Sequence, residues 1–201
     1  MTERIGFIYM ATLTKKAIAA SLTKLLEKKP LEKITIKEIT DDCGMTRNTF
    51  YYHFQDIYDL CSWIFVAEAE DIVSRCRQED QKLGQLLLEG LEYLYEHRKM
   101  IRHVYDSINR DDLAGYLKQV IYRYARELID PYVQDETIST DARDLAAEFY
   151  QNAFVARVLQ WIDDGMDMPP EKLAYMCECM FRGTISGALE STQKITEDFK
   201  K

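Results

Sequence analysis

The sequence has little glycine and proline and no long apolar segment. Its 201 residues include 8 glycines and 4 prolines, which excludes collagen-like, proline-rich and low-complexity proteins and favours helices. The longest early uncharged run, residues 5–14, is about half the ~20 residues that a membrane-spanning helix needs. Glu3 and Arg4 before it cancel in charge, so the run lacks the basic start of a secretory signal. We therefore expect a soluble, cytoplasmic protein with no membrane partner.

The pattern of the cysteines fits neither a disulfide framework nor a metal site. The five cysteines are odd in number and irregularly spaced, so we expect free thiols in a reducing compartment. Cys177 and Cys179 would lie roughly 200° apart around a helix axis, too far to chelate one ion. The sequence shows no glycine-rich phosphate loop, serine-nucleophile elbow or H-E-x-x-H pattern. We predict no enzymatic activity, no metal and no cofactor.

Negative charge is in excess, but it is unevenly distributed. The formal net charge is −8, which by itself argues against nucleic acid as a partner. Residues 1–60 nevertheless carry +1, and residues 61–201 carry −9. This distribution permits a DNA-binding head on an acidic body.

Apolar residues recur at helical spacing along the chain and predict an all-α protein without internal repeats. About nine helices are expected, over residues 12–29, 35–42, 46–53, 56–78, 80–98, 99–108, 111–133, 140–164 and 169–194. Thr12 or Thr14 is expected to cap the first helix. Thr35 with Glu38 has the pattern of a capping box, and Thr46 is the predicted N-cap of the third helix.

The second and third predicted helices flank a tight turn at residues 43–45, which is the pattern of a helix-turn-helix. In that motif the N-terminal residues of the second helix enter the DNA major groove. Arg47 can bind guanine O6 and N7 as a fork, and Asn48 can bind adenine N6 and N7. The spacing alone leaves open a three-helix packing unit that never touches DNA.

Base contacts are predicted for Arg47, Asn48 and Lys37, while the hydroxyl groups, Tyr52 and His53 are predicted to position the DNA backbone. The full set of predicted DNA-contacting residues is Thr35, Lys37, Thr46, Arg47, Asn48, Thr49, Tyr51, Tyr52 and His53.

The stretch over residues 34–60, ITIKEITDDCGMTRNTFYYHFQDIYDL, resembles the DNA-binding domain of the TetR/AcrR family of bacterial transcriptional regulators. The resemblance is strongest in MTRNTFYYHF, directly after Gly44, and residues 54–65 resemble a subgroup that includes regulators of dihydroxyacetone kinase operons. Ile57 stands where many members have a lysine for a backbone phosphate, and Thr40 stands where a small residue is common. Ile57 implies weaker DNA affinity or help from a partner protein.

The last two predicted helices are apolar on more than one side. Between residues 153 and 162 only Arg157 and Gln160 are polar, and Gly183 and Gly187 lie beside the apolar stripe of the final helix. A helix that is apolar nearly all round is buried on two sides, so we predict a homodimer through a four-helix bundle, with a large monomeric core as the alternative. The predicted interface residues are Phe154, Val158, Trp161, Phe181 and Ile185.

The resemblance implies a helix-turn-helix DNA-binding domain at residues 1–56 and an effector-binding and dimerisation domain at residues 57–201. The pocket is expected to be mostly apolar, with the candidate lining residues Trp63, Arg102, Tyr105, Tyr116, Tyr124 and Phe149. We predict a TetR-type transcriptional regulator that binds a double-stranded DNA operator as a dimer, controlled by an unidentified small molecule or a co-activator protein. The alternatives are a helical co-regulator or binding module that has lost direct operator binding, and a small-molecule enzyme of similar shape.

Overall fold

The structure of the 201-residue chain is a computed structural model. It describes residues 2–78, 83–107 and 138–198, together with 114–115, 117–118, 121–122, 129–130 and 133. These residues form helices and no strand, which confirms the all-α prediction. The helices are α1 Thr2–Leu26, α2 Ile36–Asp42, α3 Arg47–His53, α4 Ile57–Gln78, α5 Leu83–Glu96, α6 Arg98–Tyr105, α7 Thr140–Asp163 and α8 Pro170–Asp198, with a 3₁₀ turn at Leu31–Lys33. None of these helices is both long and apolar enough to cross a membrane. Most of the helix expected over residues 111–133 lies outside the described residues.

The limits of α1 differ from the predicted ones. It begins at Thr2 and not at Thr12 or Thr14. A threonine can also lie inside a helix, and no proline before these two threonines interrupts the helix, so it extends further towards the N-terminus. It ends at Leu26, before the predicted end at residue 29. Pro30 lacks an N–H group and disfavours the helical conformation in the residue before it, so the helix stops early.

The chain folds as two compact units. The first contains Met1–Glu68 and His97–Arg110, and the second contains Ala69–Glu96 and Asp111–Lys201. α6 therefore belongs to the unit that holds the helix-turn-helix, although it follows α5 of the second unit in the sequence. α4 begins in the first unit and ends in the second.

An apolar core holds α1, α2 and α3 of the first unit together. Its most enclosed side chains are at most 2% exposed and include Ile18, Leu22, Leu26, Ile39, Phe50 and Phe54. Ser21 is a buried polar residue in this core, and its hydroxyl donates a hydrogen bond of 2.9 Å to the Ile39 carbonyl. The bond ties α1 to α2 and satisfies a polar group that burial would otherwise leave unpaired.

α6 packs against α1 in the same unit. Its buried side chains, Met100, Ile101 and Val104, are at most 3% exposed. His103 donates its Nδ1–H to the carbonyl of Leu26 over 2.6 Å. This carbonyl belongs to the last turn of α1 and has no partner within its own helix, so the bond fixes α6 to that end.

In the second unit, α8 packs against both α5 and α7. The core between α7 and α8 consists mainly of small and aliphatic residues: Ala142, Ala146, Ala147, Phe181, Ile185 and Leu189, with Ile129 and Ile138. The indole N–H of Trp161 donates to the Met168 carbonyl at 2.8 Å and closes the turn between the two helices. At Gly84 of α5 the neighbouring group from α8 is the Glu178 carboxylate, and the flexible end of that side chain would have to move if this position had a Cβ.

The capping box predicted at the start of α2 is confirmed. The Thr35 hydroxyl accepts the Glu38 N–H at 3.3 Å, and the Thr35 N–H donates to a Glu38 carboxylate oxygen at 2.9 Å. The Lys29 ammonium donates to the other carboxylate oxygen at 2.6 Å. The bond from Lys29, followed by the bonds from Thr35, lowers the pKa of Glu38 from 4.5 to about 2.

We expect Glu38→Gln to lower the melting temperature at neutral pH and to lose this effect in acid. The carboxylate stabilises the fold above its ordinary pKa of 4.5, and this contribution disappears as the pH falls towards the folded pKa of about 2. Thermal unfolding followed by circular dichroism between pH 7 and pH 3 measures the difference. Glu27→Gln is the control, because Glu27 is exposed and no described residue pairs with it. Melting curves of wild type and Glu38→Gln that stay the same distance apart at every pH would contradict this account.

Candidate nucleic-acid interface

The turn between α2 and α3 depends on Gly44. Its φ of +68° lies in the left-handed region, which residues with a Cβ rarely adopt. A Cβ at this position would meet no atom of the described part of the chain within 4 Å, so backbone conformation and not a clash selects glycine. The Met45 N–H donates to the Thr40 carbonyl at 2.8 Å and closes the turn. Thr40 stands where the resemblance leads us to expect a small residue. Its buried hydroxyl donates to the Ile36 carbonyl at 2.9 Å, so this polar group has a hydrogen-bond partner.

α3 is a helix of 7 residues that is fixed at its start and on one side. Thr46 is its N-cap, as predicted, and accepts the Thr49 N–H at 3.1 Å. Phe50 and Phe54 are 0% and 2% exposed and pack into the core of the first unit. The remaining surface of α3 is therefore turned outwards.

The side chains predicted to read bases are exposed on α2 and α3. Among the described residues, the side chains of Arg47 and Asn48 have no hydrogen-bond or ion-pair partner, and Lys37 is exposed in the first turn of α2. Tyr51 and Tyr52 are 57% and 69% exposed. Guanidinium, amide, ammonium and phenol groups are the ones that contact base edges and phosphates, and all of these groups are exposed on α2 and α3.

The other predicted DNA-contacting residues are less available. Thr35 and Thr46 are exposed, but their hydroxyl oxygens cap α2 and α3. Thr49 and His53 are half-buried. Burial, and to a smaller extent the Lys15 ammonium, lowers the pKa of His53 below 6.5. The imidazole is therefore mostly neutral at pH 7 and can hydrogen-bond to a phosphate without contributing a full charge.

Two lysines of the first unit are paired with carboxylates. Lys24 lies 2.5 Å from Asp42, and Lys29 lies 2.6 Å from Glu38. These pairs stabilise the contacts of α1 and its C-terminal turn with α2, but they reduce the positive charge available to DNA. Because each neutralised phosphate adds to the salt dependence of binding, these two lysines contribute less to that dependence than unpaired lysines would.

Sequence reasoning missed the role of the carboxylates at the start of α4. Asp56 accepts the N–H groups of Tyr58 and Asp59 at 2.8 Å each, and Asp59 accepts the Gln55 N–H at 2.9 Å. These N–H groups are already hydrogen-bonded to carboxylates and are not available to a DNA phosphate. The start of α4 therefore offers a phosphate neither a lysine at position 57 nor these three N–H groups. The signal was present in the sequence, because aspartate directly before a helix is a preferred N-cap.

The six predicted pocket residues do not all lie in the same unit of the structure, and two of them are not described. The first unit holds Trp63, Arg102 and Tyr105, the second holds Phe149, and Tyr116 and Tyr124 lie outside the described residues. Phe149 is 68% exposed. Arg102 is exposed and lies 3.7 Å from the Asp106 carboxylate. Their role in ligand binding stays a prediction.

Four of the five residues predicted at a dimer interface face the interior of their own unit. Val158, Trp161, Phe181 and Ile185 are at most 9% exposed, and Phe154 is half-buried. The large apolar side chains that α7 and α8 do expose are Leu145, Phe149, Tyr175, Met176 and Met180. Both sides of these helices are apolar, so the sequence pattern could not separate the inner side from the outer one.

Two short capped helices around a left-handed glycine, with an exposed polar second helix, define a helix-turn-helix DNA-binding protein. The family model described as bacterial regulatory proteins, tetR family, matches residues 18–62, and the one described as transcriptional regulator C-terminal region matches residues 81–183. The chain belongs to the TetR family and is a DNA-binding transcriptional regulator. Regulators of this family are generally not enzymes.

Curated relatives of the chain include two regulators. The HTH-type transcriptional regulator AcrR of Shigella flexneri is 22% identical over 184 residues, which cover 89% of this chain and 77% of AcrR. The HTH-type dhaKLM operon transcriptional activator DhaS of Lactococcus lactis is 27% identical over 93 residues, which cover 46% of this chain and 49% of DhaS.

Solved structures with a similar fold include the dihydroxyacetone kinase operon activator DhaS and a TetR transcriptional regulator from Streptococcus agalactiae. The DhaS structure has a TM-score of 0.66 at 20% identity and covers 87% of this chain and 97% of its own. The Streptococcus structure has a TM-score of 0.55 at 19% identity and covers 88% and 98%. At these identities the similarity shows the fold, a helix-turn-helix head with a helical body.

We expect Arg47→Ala to weaken operator binding by about 1–3 kcal/mol and to relax the sequence preference at one base position. The reason is the loss of a fork that fits guanine O6 and N7. Arg47→Lys is the matched control, because it keeps the charge and loses the fork. Fluorescence anisotropy with operator variants measures both effects. An equal loss on every DNA sequence with Arg47→Ala, and wild-type behaviour with Arg47→Lys, would show a phosphate contact instead.

Proposed function

We propose that the chain binds a near-palindromic operator as a homodimer and that an effector controls this binding. Residues 1–56 are proposed as the DNA-binding domain and residues 57–201 as the effector-binding and dimerisation domain. The proposed location is the bacterial cytoplasm, with the nucleoid as the site of the bound form. The observation that carries the proposal is the outward surface of α3, where Arg47 and Asn48 have no competing partner among the described residues.

The proposed dimer face is the outward apolar side of α7 and α8. It consists of large side chains that are 47–69% exposed: Leu145, Phe149, Tyr175, Met176 and Met180. Gly183 and Gly187 lie on the same side of α8 as Met176 and Met180, and a Cβ on either would meet no atom of the described residues within 4 Å. Exposed apolar side chains together on one side of two packed helices are typical of an interface, and the glycines leave room for a second helix to come close.

A second copy of the chain is the proposed occupant of this face. TetR-family regulators act as dimers, and two helices from each of two chains can form a four-helix bundle around a two-fold axis. Such a dimer presents two α3 helices to a palindromic operator. The half-sites would lie one helical turn of DNA apart, about 34 Å, or a multiple of it.

Effector control is proposed to act by a shift in populations. α4 begins in the first unit and ends in the second, and the chain passes between the units again on both sides of α6. A ligand held in the second unit can therefore change the spacing of the two α3 helices through these segments. The ligand must bind the two arrangements with different affinity, because otherwise it shifts nothing.

Activation with the help of a partner protein is part of the proposal. The relative DhaS is named a transcriptional activator. The carboxylates of Asp56 and Asp59 occupy the start of α4, and Ile57 offers no charge to DNA. A head with fewer phosphate contacts gains from a second protein that also holds the operator.

The first test is binding of the purified protein to DNA from upstream of its own gene. Fluorescence anisotropy over a salt series is expected to show sequence-selective binding that weakens linearly in log salt, with unrelated DNA as the control. Failure to select any fragment from a genome-wide pool at every salt concentration would overturn direct operator binding in favour of a co-regulator.

A second test addresses the dimer face. Met180→Glu is expected to weaken dimerisation by about 3 kcal/mol or more, because it buries an unpaired charge in the interface. Ser74→Glu is the control, since Ser74 is an exposed residue of α4 outside this face. Light scattering after gel filtration measures the mass, and circular dichroism checks the fold. A monomeric wild type, or a Met180→Glu variant that stays dimeric, would contradict the proposed face.

A further inference from the structure

Lys15 of α1 places its ammonium beside two aromatic rings. Its Nζ lies 5.4 Å from the centroid of the Phe54 ring and 5.9 Å from that of Trp63. The two rings meet edge to face at 5.9 Å. Phe54 directly follows α3, and Trp63 belongs to α4. One cation therefore joins α1, the end of α3 and the first half of α4.

The rings continue from Phe54 to the DNA-facing surface of α3. Phe50 lies 5.8 Å from Phe54 and 5.6 Å from Tyr51. On the other side, His53 lies 6.4 Å from Phe54 and 4.9 Å from Tyr52. Ring contacts therefore connect Phe54 with both tyrosines that are predicted to contact DNA.

Phe54 is the point at which the direction of α3 relative to α4 is set. Its backbone is extended, with φ −140° and ψ 138°, between the end of α3 and the start of α4. A helix as short as α3 has no stable orientation of its own and takes it from packing. The Phe54 side chain is 2% exposed, so the groups around its ring decide that orientation.

Lys15 is paired differently from two other lysines in this unit. Lys24 and Lys29 bind carboxylates at 2.5 Å and 2.6 Å, whereas the two ring contacts described for Lys15 are cation–π contacts. Such a contact requires the cation over the ring face and therefore restrains ring position. The ion pairs of Lys24 and Lys29 involve no aromatic ring, so they do not restrain the position of one.

We propose that Lys15, Phe54 and Trp63 form a clamp that fixes the direction in which α3 presents its tyrosines to DNA, which makes Lys15 and Trp63 positioning residues for operator binding. The inference rests on the proposed function. α4 continues from Trp63 into the second unit. A movement of α4 that displaces the Trp63 ring would therefore loosen the clamp.

The test compares Lys15→Met and Trp63→Leu with the conservative variants Lys15→Arg and Trp63→Phe. Lys16→Met is the matched control, because Lys16 is the exposed neighbour of Lys15 and loses the same charge. The measured quantities are the operator Kd, its dependence on salt, and tryptophan emission of the free protein. Trp161 is 1% exposed in the core of the second unit, so a difference in emission between Lys15→Met and wild type reports Trp63.

We expect Lys15→Met and Trp63→Leu each to raise the operator Kd about threefold to tenfold with the salt slope unchanged. Lys15→Arg and Trp63→Phe are expected to bind the operator with a Kd near that of wild type. Lys16→Met is expected to leave the tryptophan emission unchanged. In the free protein, Lys15→Met is expected to change the Trp63 emission, whereas Lys15→Arg keeps it near that of wild type.

Two outcomes would overturn the clamp. A salt slope that falls by about one unit with Lys15→Met, together with wild-type binding of Trp63→Leu, would make Lys15 a phosphate contact. Emission of Lys15→Met identical to that of Lys16→Met would show that the cation does not hold the Trp63 ring. If the wild type binds no DNA, the proposed function fails, while the emission comparison still decides whether the clamp exists.

Discussion

The burial of Phe50 is the interaction on which the surface predicted to contact DNA depends. α3 has 7 residues, fewer than the about 12 that an isolated helix needs to be stable in water. It persists because Phe50 and Phe54, one helical turn apart, are enclosed by the core of the first unit. The helical period then directs Asn48 and Tyr52 to the opposite side. What the protein can offer to DNA is a consequence of what this short helix buries.

The electrostatics of the first unit explain how a chain of net charge −8 carries a DNA-binding head. The acidic excess lies after residue 60, and several lysines of the head serve the fold: Lys24 and Lys29 pair with carboxylates, and Lys15 lies over aromatic rings. The exposed side chains of α3 that are predicted to contact DNA are therefore mainly polar and aromatic, with Arg47 as the charged one.

In the second unit, α7 and α8 have one apolar side that faces the core and another apolar side that is exposed. α7 and α8 bury aliphatic side chains against each other and expose Met180 and Phe149 on the outside. Inner and outer sides have similar composition, and the glycines of α8 lie on the outer one. A helix pair built in this way has a core of its own and still has apolar surface left for a partner.

The sequence by itself determined the features that depend on near neighbours. The capping box of Thr35 and Glu38, the N-cap at Thr46 and the left-handed turn at Gly44 each involve residues within a few positions, so a local pattern specifies them. Only the tertiary structure decided which apolar residues of α7 and α8 face inwards, that α6 joins the first unit, and that Lys15 meets Phe54 and Trp63. These features depend on contacts between residues far apart in the chain, and a periodic pattern contains no information on which of two apolar sides another element will cover.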